Sequence, residues 1–306
     1  MKILVTGGAG FIGSHVVDAY VAEGHEVTVV DALFRESEEN LNPGAAFHRA
    51  DLCDAVALRA VFERERPERV NHHAAHVDVR RAVEDPAYDA RQNILGTVNL
   101  LEHCREFGVG KVIFISSGGA AYGEPESLPV REDHPVRPLS PYGLSKYVGE
   151  KYVELYARLH GLDYTILRYP NVYGPRQDPA GEAGVVAIFT ERIRAGRRPT
   201  IFGDGTKTRD YVFVGDLVRA NLLVTGDAGR REAFNLGWSA EVTDREVFEA
   251  VRDALGADME PIYGERRPGE VERICLDASK AERELGWRPE VSFREGVRRT
   301  VSAGGE

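Results

Sequence analysis

The sequence predicts a doubly wound α/β fold on a parallel sheet, with a second, smaller substrate-binding lobe. Three observations carry this. Short apolar runs alternate with helical patterns through residue 169, as helices on both faces of a parallel sheet require. The first run, Lys2-Ile3-Leu4-Val5-Thr6, leads directly into three glycines three apart, Gly7, Gly10 and Gly13. The second run ends in an acid, Asp31.

Each element has its own justification. The first run lacks alternation and suits a strand buried on both faces. A helical pattern runs from Phe11 to about Glu23, and Gly24 supplies the stop. Residues 25–31 are the second strand and 46–50 a short third, ending before Asp51-Leu52. A helix over 55–66 is closed by Pro67. Residues 69–75 form a fourth strand that ends in the small residues Ala74 and Ala75. A helix over 87–107 carries Asn93 and stops at Gly108. The fifth strand, 112–117, turns polar at Ser116 and Ser117. A Gly/Pro-rich loop over 118–141 leads to a helix over 141–160, and 164–168 is the sixth strand. Beyond Arg168 come a long loop to 184, a helix to about Ala195, short apolar segments at 200–202, 211–214 and 233–236, a helix starting at Asp216, another over 242–255, and a final amphipathic stretch. The expected division is a dinucleotide-binding domain over 1–169 and a substrate lobe over 170–306, with about 210–237 packing back on the first.

The bulk numbers exclude several functions. A content of 42% hydrophobic and 29% charged residues is that of a soluble globular protein. A formal charge of −10 argues against a nucleic-acid surface, which needs a basic face. Cys53, Cys104 and Cys275 form neither a disulfide framework nor a zinc spacing. His72, His73 and His76 lack the further ligands of a metal site, and none is expected. Met1-Lys2 leads straight into the first strand without a leader pattern, and no apolar run approaches the ~18 residues of a membrane span. The expected location is the cytoplasm, with no membrane partner.

Glycines in this spacing allow a tight turn, close backbone approach to a pyrophosphate and tight helix–strand packing, while the helix N-terminus faces the phosphates. Asp31 can accept from both hydroxyls of an adenosine ribose and repels a 2′-phosphate, which favours NAD over NADP. Ligands of open α/β sheets sit at the carboxyl ends of the strands, so Ala74, Ala75, Ser116 and Ser117 are candidate site residues. Tyr142 and Lys146 stand four apart on one helix face. A phenol ionises near pH ~10, and a cation within a few Å lowers that value. Lysine occurs only at 2, 111, 146, 151, 207 and 280, which makes one at this spacing less incidental. Arg176, Arg209 and Arg267 lie in loops of an acidic chain and suit bidentate contact with a diphosphate.

With the glycine turn, Asp31, the polar end of the fifth strand and Tyr142-Gly-Leu-Ser-Lys146 in order, the chain resembles the extended short-chain dehydrogenase/reductase family. The segments 167–176, 209–216 and 267–270 also match its motifs. The resemblance spans essentially the whole chain and implies a Rossmann-type domain, tightly held NAD, a UDP-sugar substrate and kinship with its C4 epimerases, which act through a transient 4-keto sugar. It gives Tyr142 the role of base at the sugar 4-hydroxyl and Lys146 that of holding the nicotinamide ribose and lowering the Tyr142 pKa. It places Gly7, Gly10, Phe11, Ile12, Gly13, Asp31, Asp51, Leu52, Ala74, Ala75, His76, Asn93, Ser116, Tyr142, Lys146 and Tyr169 at NAD. Ser117, Asn171, Thr200, Phe202, Arg209, Arg267 and Glu270 fall at the UDP-sugar. The family carries a Ser or Thr four residues before the tyrosine of Tyr122-Gly123; here that position is Gly118, and Ser117 is the nearest hydroxyl. The related dehydratases carry an Asp-Glu pair in this segment, and 118–121 has no acid. UDP-glucose/UDP-galactose is the expected substrate pair, with UDP-N-acetylglucosamine or UDP-glucuronate as alternatives that Ile274 bears on. A non-catalytic NAD-binding regulator is the remaining alternative. The helices over 87–107 and 141–160 are where the family pairs into homodimers.

Overall fold

The computed structural model describes residues 1–34, 38–180, 184–266 and 271–304. They fall into two compact units. The first gathers Met1–Ser117, Ser140–Arg168 and Val218–Phe234, and the second Gly118–Leu139, Tyr169–Leu217 and Asn235–Glu306. Residues 118–139 and 218–234 each group with the part of the chain on the other side of residue 169. Residues 118–139 go with the second unit because Val130 bonds both ways to 275–277: its N–H donates to the Cys275 carbonyl at 2.8 Å, and its carbonyl accepts from the Asp277 N–H at 2.7 Å. Residues 218–234 go with the first because the buried Lys111 Nζ donates to the carbonyls of Val224, Gly226 and Ala228 at 2.7, 2.8 and 2.7 Å.

The first unit is built on β1 (Lys2–Thr6), β2 (Glu26–Asp31), β3 (Ala46–Arg49), β4 (Arg69–His72), β5 (Lys111–Ser117) and β6 (Asp163–Tyr169). A seventh strand, Glu232–Asn235, pairs on the outer side of β6, giving the spatial order 232–235, β6, β5, β4, β1, β2, β3. The pairs β3–β2, β2–β1, β1–β4 and β4–β5 are parallel. In β1, Leu4 packs into one hydrophobic layer with Val30, Phe62, Leu100 and Ile166, whereas Ile3 and Val5 pack into another with Val16, Val17, Tyr20 and Val29. This is why the strand reads as apolar at every position: alternate side chains enter opposite layers. Strand order reverses between β1 and β4, the switch point at which a crevice opens beyond the carboxyl ends.

Two helices position the site. Pro141–His160 starts with Ser140 Oγ accepting from the Gly143 N–H at 3.1 Å and Pro141 in its first turn, and ends at Gly161 with φ +74°. It lies close on β5 because residue 149 is glycine: a Cβ there would stand 2.5 Å from Phe114 Cζ. The helical run expected over 87–107 is Pro86–Ala90, one wide π-type turn over Arg91–Leu95, and Gly96–Glu106. The wide turn carries Asn93, and such turns often mark functional sites.

In the second unit, Asn171–Tyr173 pairs with Tyr211–Phe213, Thr200–Phe202 with Ile262–Gly264, and Thr208–Arg209 with Val242–Thr243. The helix expected to start at Asp216 begins two residues earlier, as Val214–Val224. Helices Asp244–Ala254 and Phe293–Ala303 are amphipathic, the first closed by a Thr243/Glu246 capping box. Tyr122, Val130, Val271, Ile274 and Leu276 form an apolar cluster.

Candidate active site

The glycine turn has the shape a pyrophosphate needs. Gly7 takes φ +69°, and a Cβ on it would lie 2.6 Å from the Ala74 nitrogen; one on Gly13 would lie 2.1 Å from the Gly7 carbonyl oxygen. No side chain fits at either place. Gly10 is the N-cap of helix Phe11–Ala22 and offers no side-chain cap, so the first N–H groups of Phe11, Ile12 and Gly13 remain for an anion. Asp31 ends β2 with its carboxylate mostly buried. Its Oδ2 accepts from the Ala9 N–H at 3.1 Å and its Oδ1 from the Leu33 N–H at 2.9 Å, which fixes the acid against the glycine turn. These features fit the diphosphate and adenosine ribose of NAD.

The next residues bring the end of β4 and the wide turn together. Asn93 Oδ1 accepts from the His76 N–H at 2.7 Å, and its Nδ2 donates back to the His76 carbonyl at 2.9 Å. The strand end at Ala74, Ala75 and His76 is thereby held rigid, and the Ala74 N–H donates to Thr6 Oγ1 at 3.2 Å. Asp51 Oδ1 accepts from the Cys53 N–H, and the Leu52 carbonyl accepts from Asn99 Nδ2. Asp51 and Leu52 follow two and three residues after the end of β3 at Arg49. His72, by contrast, has both ring nitrogens engaged, Nδ1 at 2.7 Å from Thr6 Oγ1 and Nε2 at 3.0 Å from Thr97 Oγ1. Burial keeps it neutral.

Tyr142, Lys146 and Ser117 meet at the end of β5. The Ser117 hydroxyl lies near enough to the phenol of Tyr142 to favour its ionised form. Ser116, one residue earlier, is buried, and its Oγ has no partner among the described residues. Lys146 is 5% exposed, its Nζ 5.1 Å from the centre of the Phe114 ring. Burial acts on both members of the pair. Burial raises Tyr142 to about 12, against the smaller lowering effect of the Ser117 hydrogen bond. Burial also lowers Lys146 to about 8, opposed by the carboxylates of Glu150 and Asp89. Desolvation disfavours both charged forms, and it exceeds the pairwise attraction that helix spacing suggests.

Two buried acids stand behind the pair, and motif reasoning passed over both. Glu150, one turn beyond Lys146 and 0% exposed, accepts from Arg168 at 2.9 Å (Nε to Oε1) and 2.7 Å (Nη2 to Oε2). Asp89, also 0% exposed, accepts from Ser145 Oγ at 2.5 Å and from Asn93 Nδ2 at 2.9 Å. The available signals were spacing: Glu150 follows Lys146 by four, and Asp89 precedes Asn93 by four.

In the second unit, the Asn171 N–H donates to the Asp210 carbonyl at 3.0 Å, and Tyr169 is buried. Thr200 and Phe202 lie on one short strand with partly exposed side chains, and Arg209 Nη1 donates to the Thr208 carbonyl at 2.7 Å. Arg267 and Glu270 lie outside the described residues. Gly118 has a packing reason for lacking the family hydroxyl: a Cβ there would meet Leu276 Cδ1 at 2.5 Å. Ile274 is 2% exposed and belongs to the apolar cluster with Tyr122 and Leu276.

A family model, that of the NAD dependent epimerase/dehydratase family, matches residues 3–237. The chain belongs to this family. Among members of the epimerase/dehydratase family, a putative UDP-glucose 4-epimerase of Methanocaldococcus jannaschii is 50% identical over 300 residues, covering 98% of this chain and 97% of that one. The crystal structure of a Thermotoga maritima UDP-glucose 4-epimerase with UDP-glucose superposes with TM-score 0.97 at 50% identity, covering 99% and 98% of the two chains. A Thermus thermophilus UDP-glucose 4-epimerase in complex with NAD gives TM-score 0.95 at 46% identity over 100% of both chains.

Proposed function

We infer that this chain is an NAD-dependent epimerase that inverts C4 of a UDP-sugar, interconverting UDP-glucose and UDP-galactose. The observation that carries the reading is the grouping of half-buried Ser117 and Tyr142 with buried Lys146 at the end of β5, in a chain half identical to UDP-glucose 4-epimerases along almost its whole length. When bound, NAD supplies the two-electron acceptor that takes the C4 hydrogen and gives it back. Gly7, Gly10 and Gly13, with the N–H groups of Phe11 and Ile12, would hold its diphosphate, Asp31 its adenosine ribose, and Lys146 its second ribose. Tyr142 Oη takes the proton of the sugar 4-hydroxyl and returns it after the 4-keto sugar has turned over. The Ser117 hydroxyl donates to whichever oxygen is negatively charged at that moment. Asn171, Thr200, Phe202 and Arg209 supply contacts for the UDP-sugar, with Arg267 and Glu270 assigned to it from the family motif.

The helical turn Gly118–Ala121 contains no acid to eliminate water, which favours epimerisation over dehydration. A solved UDP-N-acetylglucosamine 4-epimerase at 34% identity keeps the N-acetylated sugar as the second candidate substrate. Val83, Leu95 and Leu144 are 62, 60 and 51% exposed on the helical layer of the first unit, which suits burial against a second copy in a homodimer. Among the described residues no helix is long and apolar enough to cross a membrane. The test is purified protein with UDP-galactose and chromatographic detection of UDP-glucose. Protein that carries NAD and forms no UDP-glucose refutes the assignment; formation of UDP-N-acetylgalactosamine from UDP-N-acetylglucosamine at a comparable rate would widen it.

A further inference from the structure

The buried acid Asp89 has no part in the reaction as written so far. It stands in the short helix Pro86–Ala90, and its two carboxylate oxygens reach different parts of the site. Oδ2 accepts from Ser145 Oγ at 2.5 Å, and Ser145 lies on the catalytic helix between Tyr142 and Lys146. Oδ1 accepts from Asn93 Nδ2 at 2.9 Å, the amide that also grips the backbone of His76. One carboxylate therefore ties the helix bearing the base to the strand end that lines the cofactor.

Its charge needs a reason beyond these bonds. A fully buried carboxylate is costly unless paired, and an asparagine oxygen would accept from Ser145 equally well. The groups around it are few. His76 Nδ1 is 3.6 Å from Oδ1, but burial lowers the His76 pKa, so it is neutral at pH ~7. Arg81 is stacked on the Tyr88 ring with its guanidinium carbon 4.3 Å from the ring centre. Around Lys146 the neighbours are equally defined. From its own helix come Tyr142 and Glu150, and Glu150 is bound bidentately by Arg168 of β6. From the end of β4 and the residue after it come His72 and His73, both kept neutral by burial, His73 at about 3. From β5 comes the Phe114 ring. Glu150 exerts the larger attraction on the buried ammonium and Asp89 the smaller, and Asp89 is the one of the two that no arginine among the described residues binds bidentately. Its field raises the proton affinity of both Lys146 and Tyr142.

We propose that Asp89 is a positioning residue for the epimerase reaction: through Ser145 it sets the turn of helix that carries Tyr142 and Lys146, and its carboxylate adds to that of Glu150 in balancing the Lys146 ammonium. The proposal rests on the epimerase reading, and the wild-type assay above tests that reading separately. The two ionisable groups titrate as a pair whose first proton leaves in one macroscopic step. Asp89 delays that step.

The test compares Asp89→Asn and Ser145→Ala with wild type, all as NAD-loaded protein. One readout is the pH profile of kcat/KM for UDP-galactose. The other is independent of turnover: the NMR titration of the Lys146 side chain, one of six lysines and assignable through Lys146→Arg. Asp89→Asn is expected to move both the Lys146 titration and the acid limb of kcat/KM down by about one pH unit, as removal of a nearby negative charge requires. Ser145→Ala keeps the charge, so the limb stays in place while kcat falls about tenfold from loss of alignment. A purely structural Asp89 would lower activity or stability and leave both titrations where they are in wild type; that result overturns the proposal. Should Asp89→Asn fail to fold, Ser145→Ala still decides: full kcat, or a limb that moves with the hydroxyl, refutes it.

Discussion

Arg168→Met removes one partner of the buried pair that joins β6 to the catalytic helix. Methionine is close to arginine in length and apolar, so the site stays filled and little of the loss comes from a cavity. What remains is the Glu150 carboxylate, 0% exposed, without the two donors that reach it at 2.9 and 2.7 Å. Two unit charges about 4 Å apart interact by ~4 kcal/mol at an effective dielectric of ~20. Removing one partner of a buried pair costs about 3–5 kcal/mol in practice, chiefly through the stranded charge. The expected loss for Arg168→Met is therefore about 3–5 kcal/mol, read as a lower guanidinium midpoint at unchanged slope by circular dichroism. Adding Glu150→Gln removes the stranded charge, and the double variant should regain about 2–3 kcal/mol of that loss. A single variant that loses less than ~1 kcal/mol, or a double variant no better than the single, would refute the view that the stranded carboxylate sets the cost.

Tyr142→Phe should keep NAD, seen by its absorbance on release, while kcat falls by at least the ~10²-fold of a general acid–base group; Ser117→Ala should lose rate with NAD retained, and an unchanged rate would remove Ser117 from the proton path. Gly118→Ser restores the family hydroxyl at the price of a Cβ 2.5 Å from Leu276 Cδ1, so it should destabilise by about 1–3 kcal/mol in a thermal melt and fail to rescue Ser117→Ala. In the pH dependence of kcat/KM, Lys146 at about 8 and Tyr142 at about 12 mean that the pair releases its first proton near 8 and its second near 12. The singly deprotonated pair includes the reactive phenolate–ammonium form, so activity should rise with pH up to a limb at or below about pH 8 and hold level above it. A decline beginning between about pH 8 and 9 would show that the proton lost there is one the reaction needs.

Much of this site was legible because its signals are local. The glycine spacing, the acid ending β2, the polar end of β5 and the Tyr142–Lys146 spacing each depend on a few neighbouring residues, and the structure brings the last two together with Ser117. Ser140 and Pro141 likewise announce the start of the catalytic helix. What could not be read depends on distant chain. Whether 118–139 joins one unit or the other is decided by Val130 bonding to 275–277, and no local pattern marks it. Asp89 looks like a surface acid on a short helix, since only the fold places Ser145 against it. The setting of Tyr142 is hidden for a related reason. Spacing reveals the neighbouring cation but not the burial that opposes it, and burial is summed over the whole surrounding structure.

The strand Glu232–Asn235 has a consequence for biosynthesis. It covers the outer side of β6, yet residues 170–231 must be translated between the two. At about 5–20 residues per second, the ribosome needs roughly 3–12 s for that interval. Through it, β6 presents an open row of N–H and C=O groups, and Lys111 lacks the carbonyls of 224–228 that it later binds. An open strand edge is a template for pairing with neighbouring nascent chains. The half of the molecule that is synthesised first is thus among the last to be completed, and a fragment ending at residue 169 would emerge with that edge permanently exposed.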